Sequence, residues 1–228
     1  MIDQPFSLFA PYADRICVAL LTKKDAILSD TDAAKRLGFQ NAAGLHQVHG
    51  GKTVVLQEAH NRTIQADGML TDTRELLLAV RWADCQNFVM YAPAAHVAGV
   101  LHVGWRGLLA NAIPTFFSVL RKKWGIPASE VLVGAGPSLC LTCAEYANPE
   151  HELRRRVSST YVRNGCIDLQ HMAEDQLRSC GVLLKHTERH PDCTRCHKET
   201  YWTYRGGHRE QVLAGKTNML CCALLQEK

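Results

Sequence analysis

The chain has no apolar run of the roughly 18 residues needed to cross a bilayer, so no membrane-spanning helix is expected. Its opening residues, MIDQPFSLFAPYADR, carry neither a basic stretch nor a long apolar one, and no secretory signal is read there. Together these two absences predict a soluble, cytoplasmic protein without a membrane partner. There is no internal repeat, no low-complexity tract and no clear linker. The 11 histidines include no His-x-His pair. Multicopper oxidases gather many imidazole and thiolate ligands, several from such pairs, so that chemistry is disfavoured. A long basic stripe with interleaved aromatics is also missing. The net charge is only +4, and the clusters Arg154 to Arg156 and Arg121 to Lys123 read as solvated helix faces. Nucleic acid is therefore not an expected partner.

What is present is apolar content: 46% of 228 residues, enough for one sizeable core. That predicts a single domain over residues 1–228. Strand-length runs of β-branched or apolar residues are RICVALLT (15–22), KTVVLQE, ELLLAVRW, NFVMYA, HVAGVLHV, SEVLVGAG, YWTY and NMLCCALL. DTDAAKRLG reads as a short helix with Asp30 or Thr31 as N-cap and Gly38 past its end. LLANAIPTFFSVLRKKWG reads as a helix that starts just after Gly107, kinks or starts late because of Pro114, and closes at Gly125. A helix capped by Asn148 with Pro149 at its first position follows, then one from Asp168 to Cys180. Strands come in adjacent runs rather than in strict alternation with helices. The fold class expected is α+β: mixed β-sheets in layers, flanked by helices.

The ten cysteines divide by context. Cys17, Cys140, Cys166, Cys180, Cys221 and Cys222 read as small buried hydrophobes or unreactive surface thiols. CTRCH, Cys193 to His197, matches the Cys-x-x-Cys-His pattern of haem attachment and also half a zinc knuckle. Haem attachment normally requires export, and the half-knuckle has no clear partner pair, so the segment is read as a plain late loop.

Three other segments place a metal ligand at an element boundary: HQVHGG (46–51), RWADCQNF (81–88) and LHVGWRG (101–107). His49, Cys85 and His102 stand 36 and 17 residues apart, too far for a zinc finger. Such spacing suits a site assembled from several strands. Three protein ligands leave a fourth position open, as catalytic zinc requires. Imidazole with thiolate suits zinc, with copper as the alternative occupant. His46, three residues before His49, is an alternative ligand. Beside His102, Gly104 and Gly107 allow a tight turn or a close approach, and Arg106 adds a permanently charged fork for an anion such as phosphate.

The order HQVHG, QADGMLTD, LAVRWADC, HVGWRG and GAGPSLCLTCAEY resembles the laccase-domain family, also called the polyphenol oxidase or peptidoglycan-editing-factor family, which includes purine nucleoside phosphorylases. The likeness is strong from about Gly44 to Ala147 and weaker through CIDLQ, DCT, TYRGG and GKTNML. The chain departs from the family where LTKKDAILSD replaces a glycine-rich segment, at Val103, at AEY after Cys143, at TYRGG, which keeps Arg205 alone, and at Gly215-Lys216. The resemblance implies a zinc held by His49, Cys85 and His102. It implies Arg106 as the phosphate or substrate contact and Cys143 as a residue near the site. It further implies phosphorolysis of adenosine, inosine, guanosine and methylthioadenosine, with adenosine deamination at the same site. Purine nucleoside and phosphate are then the small-molecule partners. The alternatives are a hydrolase editing peptidoglycan precursors through a Cys–His site, a copper-binding polyphenol oxidase, and a zinc-binding protein without turnover.

Overall fold

A computed structural model describes residues 1–148, 153 and 157–226. Its strands are β1 (Ile2–Asp3), β2 (Ile16–Leu21), β3 (Asn41–His46), β4 (Thr53–Val55), β5 (His60–Gln65), β6 (Gly68–Thr71), β7 (Leu76–Trp82), β8 (Gln86–Ala92), β9 (Val97–Val103), β10 (Leu132–Ala135), β11 (Val162–Arg163), β12 (Cys166–Ile167), β13 (Thr187–Arg189) and β14 (Asn218–Leu224). The helices are α1 (Asp30–Leu37), α2 (Trp105–Leu109), α3 (Ala112–Trp124), α4 (Leu169–Ser179) and α5 (Arg209–Leu213).

Two mixed six-stranded sheets result, in the orders β1-β2-β14-β7-β3-β5 and β13-β10-β8-β9-β6-β4. They pack face to face. Alternate residues of their central strands enter opposite cores, which is why those strands are apolar throughout. Along β7, Leu76, Leu78 and Val80 face the space between the sheets, while Leu77 and Ala79 face α1. Along β8, Val89 and Tyr91 face the first sheet, while Phe88 and Met90 face the core beneath α3 and α4. The layers run helix, sheet, sheet, helix, as the α+β expectation has it. Among the described residues no helix is long and apolar enough to cross a membrane.

Several expected boundaries move. Ser29 caps α1, its side chain accepting from the Asp32 amide at 3.0 Å, and Gly38 closes it in the left-handed region. The helix expected after Gly107 begins at Trp105, because Gly104 is its N-cap and the Gly104 carbonyl accepts from the Leu108 amide at 3.0 Å. It stops at Ala110, and Asn111, at φ 56°, redirects the chain into α3. Pro114 does not kink α3. It sits in the first turn, where its missing N–H would have no intrahelical partner. YWTY is not a strand: the Trp202 amide donates to the Asn218 side chain at 2.9 Å and the Arg205 amide to Asp84 at 2.7 Å, so side chains take the place of a neighbouring strand. The helix expected from Asn148 lies largely outside the described residues.

Candidate metal and substrate site

His49 follows β3 of the first sheet, Cys85 lies in the crossing from β7 to β8, and His102 is the penultimate residue of β9 in the second sheet. Their ligand atoms converge within 4.8 Å of one another. The two imidazole rings stand edge to face, centroids 4.8 Å apart. His102 is 2% exposed and His49 reaches solvent, so the triad spans from the core to the surface. His46 ends β3, exposed and paired in register with Gln65, and takes no part in the triad.

Two buried carboxylates shape the turns that carry these ligands. Asp67 accepts from the amides of Val48, His49 and Gly50 at 3.3, 3.0 and 2.7 Å. Three converging donors hold His49 at φ 58°, a conformation rare for a residue with a side chain. The same carboxylate lies 2.9 Å from His102 Nδ1. Burial pushes Asp67 up, but the His102 ring N–H, the Gly50 amide and the nearby imidazole charge outweigh it, and its carboxyl titrates below the usual range. It is thus the acceptor and His102 Nδ1 the donor, which leaves Nε2 as the nitrogen available to a metal. Asp84, at φ 82°, accepts from the Thr194 and Thr203 hydroxyls, each at 2.6 Å, and from the Arg205 amide, fixing the turn before Cys85.

Burial raises a thiol, yet Cys85 is drawn down to about 6 by the His102 charge and by hydrogen bonds from both imidazoles. Burial lowers His102, yet the Cys85 thiolate and the Asp67 hydrogen bond raise it to about 9. Cys222, buried in β14 without such partners, is pushed upward by the same burial. Gly104 belongs here for its lack of a side chain. A Cβ there would stand 3.0 Å from Cys85 Sγ and 3.2 Å from His49 Cδ2.

The triad opens onto a cavity of about 460 Å³ whose lining includes Arg81, Trp82, Trp105, Arg106, Tyr146 and Arg205. Arg106 is exposed, its guanidinium 4.3 Å from the centroid of the Trp105 ring. Arg205 stacks on Tyr146 at 4.6 Å and donates to the Glu145 carbonyl. The buried Nε1 of Trp82 and Nε of Arg81 have no acceptor in the protein among the described residues. Cys143, expected near this site, does not line the cavity. It belongs to a second group, Cys140, Cys143, Cys193 and Cys196, also within 4.8 Å of one another. Sequence reading assigned no part to Asp67 or Asp84. Their signal was an aspartate at the edge of an apolar strand, in QADG and WADC.

The fold is a layered sandwich of two mixed sheets with a His–Cys–His triad at its edge. The profile of the family described as "Multi-copper polyphenol oxidoreductase laccase" matches residues 23–222, and the chain belongs to that family. It is similar to the purine nucleoside phosphorylase SCO2081 of Streptomyces coelicolor, with 30% identity over 195 residues, 80% of this chain and 78% of that one. It is similar to the adenosine deaminase RL5 of an unknown prokaryotic organism, at 24% identity, covering 66% of this chain and 60% of that one. The crystal structure of YlmD from Geobacillus stearothermophilus superposes with a TM-score of 0.77 at 20% identity, covering 95% of this chain and 94% of that one.

Proposed function

We propose that the chain is a zinc-dependent purine nucleoside phosphorylase that also deaminates adenosine, working as a single cytoplasmic domain. The observation that carries this reading is a convergent His49, Cys85 and His102 set on a cavity lined by Arg81, Arg106 and Arg205. Names of similar proteins in two organisms point the same way.

Two imidazoles and a low-lying thiolate, with Asp67 fixing the His102 tautomer, are a donor set that fits zinc, and copper after it. When bound, zinc supplies Lewis acidity and a held water of pKa about 7. The chain's own residues do the rest. Arg106 places a forked, always-charged donor at the mouth, suited to phosphate. Its stacking on Trp105 pre-orients the guanidinium, which lowers the ordering cost of binding. In phosphorolysis a phosphate oxygen bonds to ribose C1′ and the C1′–N9 bond breaks. The electron pair departs on the purine, where a proton neutralises it. Holding phosphate and nucleoside in line is the larger part of that task. Adenosine, inosine, guanosine and methylthioadenosine are the substrates proposed.

A nucleoside panel with phosphate, read for free base and for ammonia, tests this. His102→Ala should lose the bound metal and both products together. Turnover surviving in metal-free protein would overturn the mechanism.

One observation favours a second reading. Without metal, Cys85 at about 6 beside His102 at about 9 is a thiolate–imidazolium pair, the arrangement of a nucleophilic hydrolase. A zinc-free, active protein silenced by alkylation of Cys85 would select that reading.

A further inference from the structure

Cys140 and Cys143 bracket the turn Leu141–Cys143 that follows β10. Cys193 and Cys196 bracket a second turn, a few residues after β13. Each pair has Cys-x-x-Cys spacing, and 49 residues lie between the inner cysteines. The fold brings the pairs together through a parallel bridge between Ser138 and Cys193 and a bond from the Thr194 amide to the Ser138 carbonyl at 3.2 Å. The Cys140 amide then donates to Cys193 Sγ at 3.3 Å. Sγ of Cys143 and Cys196 lie 3.6 Å apart, and all four are free cysteines.

This is the partner pair that the CTRCH segment lacked when read alone. A tetrahedral ion with Zn–S near 2.3 Å needs sulfurs roughly 3.8 Å apart. Four sulfurs mutually within 4.8 Å are already close to that figure. Two disulfides would need an oxidant for each pair, whereas a tetrathiolate engages all four reduced thiols at once. The hydrogen bond from the Cys140 amide to Cys193 Sγ is the kind of outer contact that steadies a thiolate ligand. Cys143 and Cys193 are buried and Cys196 is exposed, so the group has a solvent edge for metal entry.

We propose that Cys140, Cys143, Cys193 and Cys196 hold a structural zinc ion as a closed tetrathiolate, separate from the His49, Cys85 and His102 centre. Closing four positions leaves no vacancy for a reactant, so its role is to fasten. It ties the turn carrying Leu139 and Tyr146 to the segment leading to Tyr204 and Arg205, and those four residues line one wall of the cavity. Glu145 reinforces the same join, pairing with Arg195 at 3.1 Å and accepting from Arg205 at its carbonyl. Binding releases the thiol protons, so uptake of zinc weakens in acid.

The test is metal content and cobalt spectroscopy on the whole protein purified under reducing conditions and supplied with zinc or cobalt alone. Wild-type protein should hold two ions per chain. Cys193→Ser and the milder, surface-located Cys196→Ser should each hold one. His102→Ala should also hold one, and its cobalt form should keep the intense sulfur-to-metal absorption of four thiolates. Should Cys193→Ser fail to fold, Cys196→Ser and His102→Ala still decide. One ion in the wild type and none in His102→Ala would overturn the proposal, as would a Cys143–Cys196 disulfide mapped in zinc-supplied protein purified without reductant. The zinc count is read without nucleoside, so it stands apart from the proposed activity.

Discussion

Asp67 performs three tasks with one carboxylate: it gathers the amides around His49, orients His102 and carries the compensating charge. Asp67→Asn keeps the size but puts an N–H where acceptors are needed. Metal affinity should fall about 10- to 100-fold, and stability by about 3 kcal/mol. Titration with a zinc-competing chelator and urea unfolding measure the two. The sign with pH follows from the direction of the shift. A carboxyl lowered in the folded chain contributes stability that is fully present above its unfolded value and is lost as pH falls through the folded one. Acid unfolding below about pH 4 should therefore be shallower in Asp67→Asn than in the natural chain. Gly104→Ala is a second test at this scale. Its Cβ would crowd Cys85 Sγ and His49 Cδ2, so metal content and turnover should drop at least about tenfold while the melting temperature of the metal-free protein shifts little.

The same residues show what was legible in the sequence. The convergence of His49, Cys85 and His102 could be anticipated because each stands at an element boundary within a motif that resembles a known family. Asp67 and Asp84 could not, because an aspartate beside a glycine or a strand end reads as a solvated turn. Only the fold shows which donors surround it. The four-cysteine group was missed for a related reason: each half, taken alone, is a loop.

At the scale of elements, long unbroken apolar strands were legible, as was the short edge strand β4 in KTVVLQE, while β3, β5 and β6 were not. β7, β8 and β14 are unbroken apolar runs between two layers. β5, sequence HNRTIQ, alternates half-buried with exposed residues at the rim of its sheet and carries no apolar signal. The break between α2 and α3 was also hidden, since a continuous helical pattern runs across it. Asn111 makes that break in the left-handed region, where asparagine is tolerated and β-branched residues are not. Asn111→Gly should change stability by less than about 1 kcal/mol, whereas Asn111→Val should cost about 2 kcal/mol. Denaturant unfolding separates them. Because α2 carries Arg106, the valine variant should also raise the KM for phosphate.

At the scale of the molecule, hydrogen bonds donated to Asp67 and Asp84 and a core shared by two sheets hold the ligand frame. Removing metal from the open centre should therefore leave the far-ultraviolet dichroism intact and abolish activity. Restoring zinc at about a thousand times its Kd adds about 4 kcal/mol. In a chain of this length that is a rise in melting temperature of roughly 10 °C. Calorimetry with and without added zinc reads it directly.

One donor of the triad follows the first sheet, one sits on the crossover, and one ends a strand of the second. A nascent or half-assembled polypeptide therefore owns three scattered side chains with no common grip on an ion. Readiness for chemistry arrives all at once, when the two layers close, and a misfolded copy is inert by construction.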